Sequence, residues 1–193
     1  MQDNNKTTTS EQPETFEVVE AEQRTGARHK GVYLLPNLFT TGALFAGFYA
    51  IVSAMNGMFE NAALGIIVAG ILDGMDGGVA RLTNNQSKFG AEYDSLSDCV
   101  AFGVAPGLVA YSWALSGLGK FGWVAAFIYV ACAALRLARF NVQAESTDKR
   151  FFIGLPSPTG AGLVATMVWL GASRGVEGAD VSWIVALMVA GAG

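Results

Sequence analysis

"LDGMDGGVARLTNNQSKFGAEYDSLSDCVAFGVAPG", residues 72–107, carries four aspartates: Asp73, Asp76, Asp94 and Asp98. The chain enters it from "AALGIIVAGI" (62–71) and leaves through "CVAFGVAPGLVAYSWAL" (99–115). Both flanks read as lipid-facing helix, so the carboxylates stand beside hydrocarbon. Ionised carboxylates at membrane depth are costly and mark function by default. What neutralises these four decides both the fold and the chemistry.

Composition agrees with a membrane setting. Of 193 residues, 52% are hydrophobic and 15% charged, against about 25% charged in a soluble domain. The mean hydropathy is +0.38. Twenty-four glycines suit closely packed membrane helices. The length allows one domain with a tail. The net charge of −4 hides a segregation. Residues 1–23 are acid-rich with few large apolar side chains, and "RTGARHKG" (24–31) is basic. The expected division is a disordered acidic tail over 1–26 and a membrane domain over 27–193. No basic start leads into an apolar core, so the tail is not a signal peptide. Cys99 and Cys132 both fall in apolar segments and read as buried free thiols rather than a disulfide framework. No nucleic-acid partner is expected.

A membrane helix needs about 20 mostly apolar residues. Such stretches run from Tyr33 to Met55, about Ala62 to Leu82, about Glu92 to Leu115, Phe121 to about Phe140 and about Thr159 to Ala172. A sixth starts at Val181 and reaches Gly193 after thirteen residues, too few to cross. The expectation is therefore an all-α, polytopic transmembrane bundle whose last helix is truncated. With the N-terminus inside, ten of the twelve Lys and Arg residues fall on the inner side, and only Lys120 and Arg174 fall outside. That asymmetry follows the positive-inside rule and puts the aspartates at the cytoplasmic face. A soluble bundle of helices apolar all round would need a large surrounding protein.

The spacing of the acidic stretch is informative. Asp73, Asp76, Gly77, Ala80 and Arg81 follow i, i+3, i+4, i+7, i+8, one face of a helix. Gly90, Asp94 and Asp98 lie on one face of the next. The connection "TNNQSK" (83–88) is short and polar, so the two helices are expected to be antiparallel neighbours. Four converging carboxylates would repel one another without cations between them. Hard oxygen donors suit two divalent ions, Mg²⁺ or Mn²⁺. Arg81 could grip a phosphate as a planar fork. Small-residue packing offers a competing account of the glycines, since Gly74/Gly78 and Gly103/Gly107 both fit GxxxG. It does not account for the aspartates.

The pattern Asp73-x2-Asp76-Gly77-x2-Ala80-Arg81-x8-Gly90-x3-Asp94-x3-Asp98 resembles the complete signature of the CDP-alcohol phosphatidyltransferases. "LPNLFTTGALFAG" (35–47) is similar to that family's first membrane helix. "ALRLARFNV" (134–142) and "FFIGLPSPTGAG" (151–162) resemble its phosphatidylserine synthase branch. The resemblance implies a six-helix core and a homodimer. It implies that Asp73, Asp76, Asp94 and Asp98 hold two metals, with Asp98 also the general base. It further implies that Gly77, Arg81 and Ser87 contact the CDP part of the lipid donor, and that Asn37 and Thr40 line the nucleotide pocket.

The expected partners are CDP-diacylglycerol, L-serine and membrane lipids, in the inner membrane of a prokaryote. A serine carboxylate needs a cation on the far side of the acidic cluster. Arg136 and Arg139 are the candidates, with Asn141 and Ser157 as polar partners. Lys149 and Arg150 read as contacts to anionic lipid. No side chain stands out as a nucleophile, so direct displacement is expected. The alternatives are another branch of the family, taking glycerol 3-phosphate or an inositol compound, and, more remotely, a cation transporter. A transporter would be expected to show repeated halves, and the acidic motif occurs once.

Overall fold

The computed structural model describes residues 37–83, 88–145 and 156–192; the side chains of Asp76, of residues 79–83, of Lys88 and of residues 143–145 lie outside that description. The acidic tail, Ser87, Lys149 and Arg150 fall outside the described residues.

The described residues form six helices and no strand. Helix α1 is Asn37–Met55 and α2 is Phe59–Thr83. Helix α3 begins as Lys88–Asp98, widens into a π-helical Cys99–Val104, resumes as Ala105–Ala110, widens again over Tyr111–Leu115 and ends in a 3-10 turn at Ser116–Leu118. Helix α4 is Lys120–Glu145 and α5 is Ser157–Ser173. A 3-10 turn at Gly178–Val181 leads into α6, Ser182–Ala192.

Among the described residues, three stretches are long and apolar enough to cross a membrane: Asn37–Met55, Phe89–Leu118 and Lys120–Val142. Helix α2 has the length, with 25 residues, but carries Glu60, Asp73, Asp76 and Arg81. These helices and the arrangement of side-chain sizes make the chain an integral membrane protein.

Size is distributed inside out. The buried apolar side chains of α1 are Ala43, Ala46, Ala50 and Ala54, and those of α2 include Ala62, Ala63, Ile66 and Ala69. Many large residues face outward, as Phe45, Phe48, Leu135, Trp183 and Leu187 do, while Phe102 and Tyr129 are buried between α3 and α4. Lipid tails are as apolar as leucine, so burial of large side chains gives no driving force, and close backbone packing takes its place. A Cβ at Gly47 would meet the Ala101 Cα at 2.8 Å, and one at Gly65 the Ala46 carbonyl oxygen at 3.0 Å. Helix α2 packs chiefly on α5, and α4 packs chiefly on α3 and next on α6.

Two helix ends are built alike. After α1, the Gly57 N–H reaches the Ala54 carbonyl at 3.0 Å and the Met58 N–H reaches Ser53 at 2.9 Å. After α5, Gly175 reaches Ala172 at 3.1 Å and Val176 reaches Gly171 at 2.9 Å. Both are Schellman ends, which need a left-handed residue; Gly57 has φ 75° and Gly175 has φ 68°. At the other end of the bundle, Pro156 precedes α5 and Pro158 lies in its first turn, where the missing N–H costs nothing.

Candidate active site

The short connection after α2 brings two acidic faces together. Asp73 on α2 and Asp94 and Asp98 on α3 each offer a carboxylate oxygen, and these oxygens lie within 4.8 Å of one another. All three residues are half-buried. Three carboxylates at this separation form a hard-oxygen donor set that fits a divalent cation. Asp76 and Arg81 lie by backbone on α2, one and two turns past Asp73.

The glycines of the stretch divide into two groups. Gly74, Gly77 and Gly78 have open space where a Cβ would stand. Gly103 and Gly107 do not: a Cβ would meet the Ala133 Cβ at 3.4 Å and Val130 Cγ2 at 2.9 Å. The second pair is a helix-packing seam between α3 and α4. The first group leaves the backbone beside Asp73 and Asp76 accessible, and Gly77 belongs to it.

Helix α1 is tied to α3 beside the carboxylates. The Ser97 hydroxyl donates to the Thr40 carbonyl at 3.1 Å, with both residues buried. Thr41 Oγ1 and the Tyr93 hydroxyl are 3.0 Å apart, and Thr41 also donates to the Asn37 carbonyl at 2.6 Å. Asn37 itself is half-buried. The beginning of α1 is thus held next to the helix that bears Asp94 and Asp98. Ser97, Tyr93 and Thr41 were not among the residues picked out from sequence. Their signal was a second polar stripe: Tyr93 and Ser97 are i, i+4, one position from Asp94 and Asp98.

The four candidates for an amino-acid acceptor separate. Arg136 Nε donates to Ser157 Oγ at 3.2 Å. Both side chains line a cavity of about 180 Å³ together with Asp98, Leu137, Phe140 and two prolines, Pro156 and Pro158. One water occupies about 30 Å³ in the liquid, so a small polar molecule fits this space. Arg139 is exposed and does not line the cavity. Asn141 pairs instead with α3: its Nδ2 donates to Ser95 Oγ at 3.0 Å. Arg136 lies on the buried face of α4, seven residues after the fully buried Tyr129, and Arg139 turns off that face.

A larger cleft of about 700 Å³ lies between the α1–α2 turn, Trp113 and the connection from α5 to α6. Its carboxylates, Glu60 and Glu177, are exposed. Glu60 precedes Asp73 by thirteen residues of α2, about 20 Å of helix. Size alone therefore does not locate the chemistry. The 180 Å³ cavity contains Asp98 and the larger cleft contains none of the clustered aspartates.

Comparison with known proteins bears on the same residues. The model of the family described as CDP-alcohol phosphatidyltransferase matches residues 33–191. The chain belongs to the CDP-alcohol phosphatidyltransferase family. Members of this family generally depend on a divalent metal, in keeping with the three clustered carboxylates.

Among curated relatives, a CDP-diacylglycerol–serine O-phosphatidyltransferase of Helicobacter pylori is 46% identical over 139 residues, covering 72% of this chain and 59% of the relative. One of Mycobacterium tuberculosis is 40% identical over 177 residues, covering 86% of this chain and 59% of the relative. One of Bacillus subtilis is 40% identical over 124 residues, covering 64% and 69%. The chain thus spans about three fifths (59%) of the length of the Helicobacter and Mycobacterium relatives.

Proposed function

We propose that the protein is a phosphatidylserine synthase, transferring the phosphatidyl group of CDP-diacylglycerol to the hydroxyl of L-serine and releasing CMP. The observation that carries this reading is the shared cavity of Asp98 and Arg136 beside the aspartate cluster. It offers a carboxylate for the acceptor's hydroxyl and a guanidinium for the acceptor's own carboxylate. The names of the relatives from Helicobacter, Mycobacterium and Bacillus support the same choice.

Asp73, Asp76, Asp94 and Asp98 are the residues that would hold two divalent ions, Mg²⁺ or Mn²⁺. When bound, such ions stabilise negative charge on the attacking and leaving oxygens. The protein's own groups do the rest. Arg81, Gly77 and Ser87 receive the diphosphate and cytidine, with Asn37 and Thr40 at the edge of the nucleotide site. Open space at Gly77 leaves room for the donor to approach the backbone. Arg136, held by Ser157, fixes the serine carboxylate through charge-assisted hydrogen bonds. Asp98 then takes the proton of the serine hydroxyl as its oxygen bonds to the lipid-side phosphorus. The bond from that phosphorus to the bridging oxygen breaks, and CMP leaves with the electron pair.

Cys99 follows Asp98 directly and so points off the acidic face, which favours direct displacement over a covalent intermediate. The surplus of basic residues on one side of the membrane supports an inner-membrane enzyme with its site at the cytoplasmic face. The full-length protein should be tested with CDP-diacylglycerol and a panel of labelled alcohols. Serine should give phosphatidylserine and CMP and outcompete the others. Preference for glycerol 3-phosphate or an inositol compound would move the protein to another branch of the family.

A further inference from the structure

The turn that follows Asp98 is π-helical, from Cys99 to Val104. Such turns are rare and frequently lie at functional sites. Their hydrogen bonds run i to i+5 rather than i to i+4. Relaxing this turn to an α-helix would rotate Asp94 and Asp98 about the helix axis relative to everything after Val104. Something must therefore hold it.

A hydroxyl from the neighbouring helix reaches into the turn. Tyr129 on α4 is 0% exposed, and its hydroxyl donates to the Phe102 carbonyl at 3.0 Å. A carbonyl oxygen has two lone pairs, so it can accept from the tyrosine and still serve the backbone. The bond sits in the seam where Gly103 and Gly107 bring α3 against Ala133 and Val130 of α4.

Both polar walls of the acceptor cavity are registered to this bond. Phe102 comes four residues after Asp98 on α3. Tyr129, Ala133 and Arg136 follow i, i+4, i+7 on one face of α4. Asp98 and Arg136 line the same cavity. We propose that Tyr129 is a positioning residue: its hydroxyl holds the π-turn after Asp98 against α4 and so sets the separation of Asp98 from Arg136. This rests on the reading of that cavity as the acceptor site.

The test replaces Tyr129 in the full-length protein with residues of nearly the same shape. In 4-methylphenylalanine the ring and bulk stay but the donor is lost. In 4-aminophenylalanine a donor is kept. Tyr129→Phe serves as the natural counterpart. The methyl variant is expected to lower kcat/KM for serine about three- to twentyfold, the range of interhelical hydrogen bonds in membranes. The KM for CDP-diacylglycerol should stay within about twofold. Amide exchange over Cys99–Val104 should quicken. The amino variant should restore both the kinetics and the protection. Wild-type serine kinetics in the methyl variant would overturn the proposal. So would equal losses toward both substrates with a fall in melting temperature, which is what a merely structural role produces. If the wild-type protein uses glycerol 3-phosphate rather than serine, the serine reading fails, while the same variants measured with that acceptor still decide the role of Tyr129.

Discussion

Asp98 stands in two places at once: in the carboxylate cluster with Asp73 and Asp94, and in the cavity with Arg136. Its replacement should therefore separate from that of its neighbours. Asp98→Asn is nearly isosteric but cannot take the acceptor's proton, and general-base loss costs about 100- to 10,000-fold in turnover. Binding of a CDP ligand with metal present, followed by titration calorimetry, should persist. Asp73→Asn and Asp94→Asn should remove metal binding and activity together. Turnover of Asp98→Asn within a few-fold of wild type would show that it is not the base.

The two arginines of α4 give a second contrast. Losing a charged hydrogen bond costs about 1.5–3 kcal/mol, so Arg136→Ala should raise the serine KM about ten- to a hundredfold. Arg139→Ala should change it little, since Arg139 is exposed and off the cavity. Serinol, which lacks the carboxylate, should be a poor substrate that loses little more in Arg136→Ala. The sequence could not choose between these residues, because i and i+3 are neighbours on a helix and only the direction of the packed face separates them.

At the scale of the helices, glycine has two different tasks. At Gly47 a Cβ would strike the backbone of Ala101, so Gly47→Ala should destabilise the bundle by about 1–3 kcal/mol. At Gly74 the space is open, and Gly74→Ala should be neutral or stabilising by up to about 1 kcal/mol from helix propensity. Gly77→Ala should also keep its melting temperature but raise the KM for CDP-diacylglycerol, because the donor is proposed to approach there. Thermal unfolding in detergent beside donor kinetics checks all three. A low-melting Gly77→Ala would assign that glycine to packing.

Periodicity alone could not make this division, since GxxxG reads the same whether another helix covers it or not. The π-helical turns of α3 were equally hidden. An extra residue per turn leaves no signature in a stretch that is apolar all round; the Tyr129 hydroxyl bonds to Phe102 in the first of these turns. Helix ends shifted by a few residues for a plainer reason. Glu60, Lys120 and Glu145 interrupt the apolar pattern without interrupting the helices.

At the scale of the molecule, the architecture was legible because lipid imposes a length on each apolar run and converts small-residue spacing into contact. The aspartate cluster was legible because carboxylates are so costly in that setting that their spacing had to mean convergence. Three of the four are seen together, and the side chain of Asp76 lies outside the described residues. The cavity proposed to take the acceptor was less legible, since it joins α3, α4 and the start of α5, which are far apart in sequence. Asn141 illustrates the difference: chosen as a partner for serine, it is paired with Ser95.

Metal-dependent transfer to serine at the aspartate cluster is tested most directly in one assay of the purified full-length protein. Phosphatidylserine and CMP are measured from CDP-diacylglycerol and L-serine, first with excess EDTA and then with Mg²⁺ or Mn²⁺ restored. The wild type should be silent in EDTA and recover with either ion, while Asp94→Asn should stay silent throughout. Full formation of phosphatidylserine in excess EDTA would contradict the assignment of the cluster.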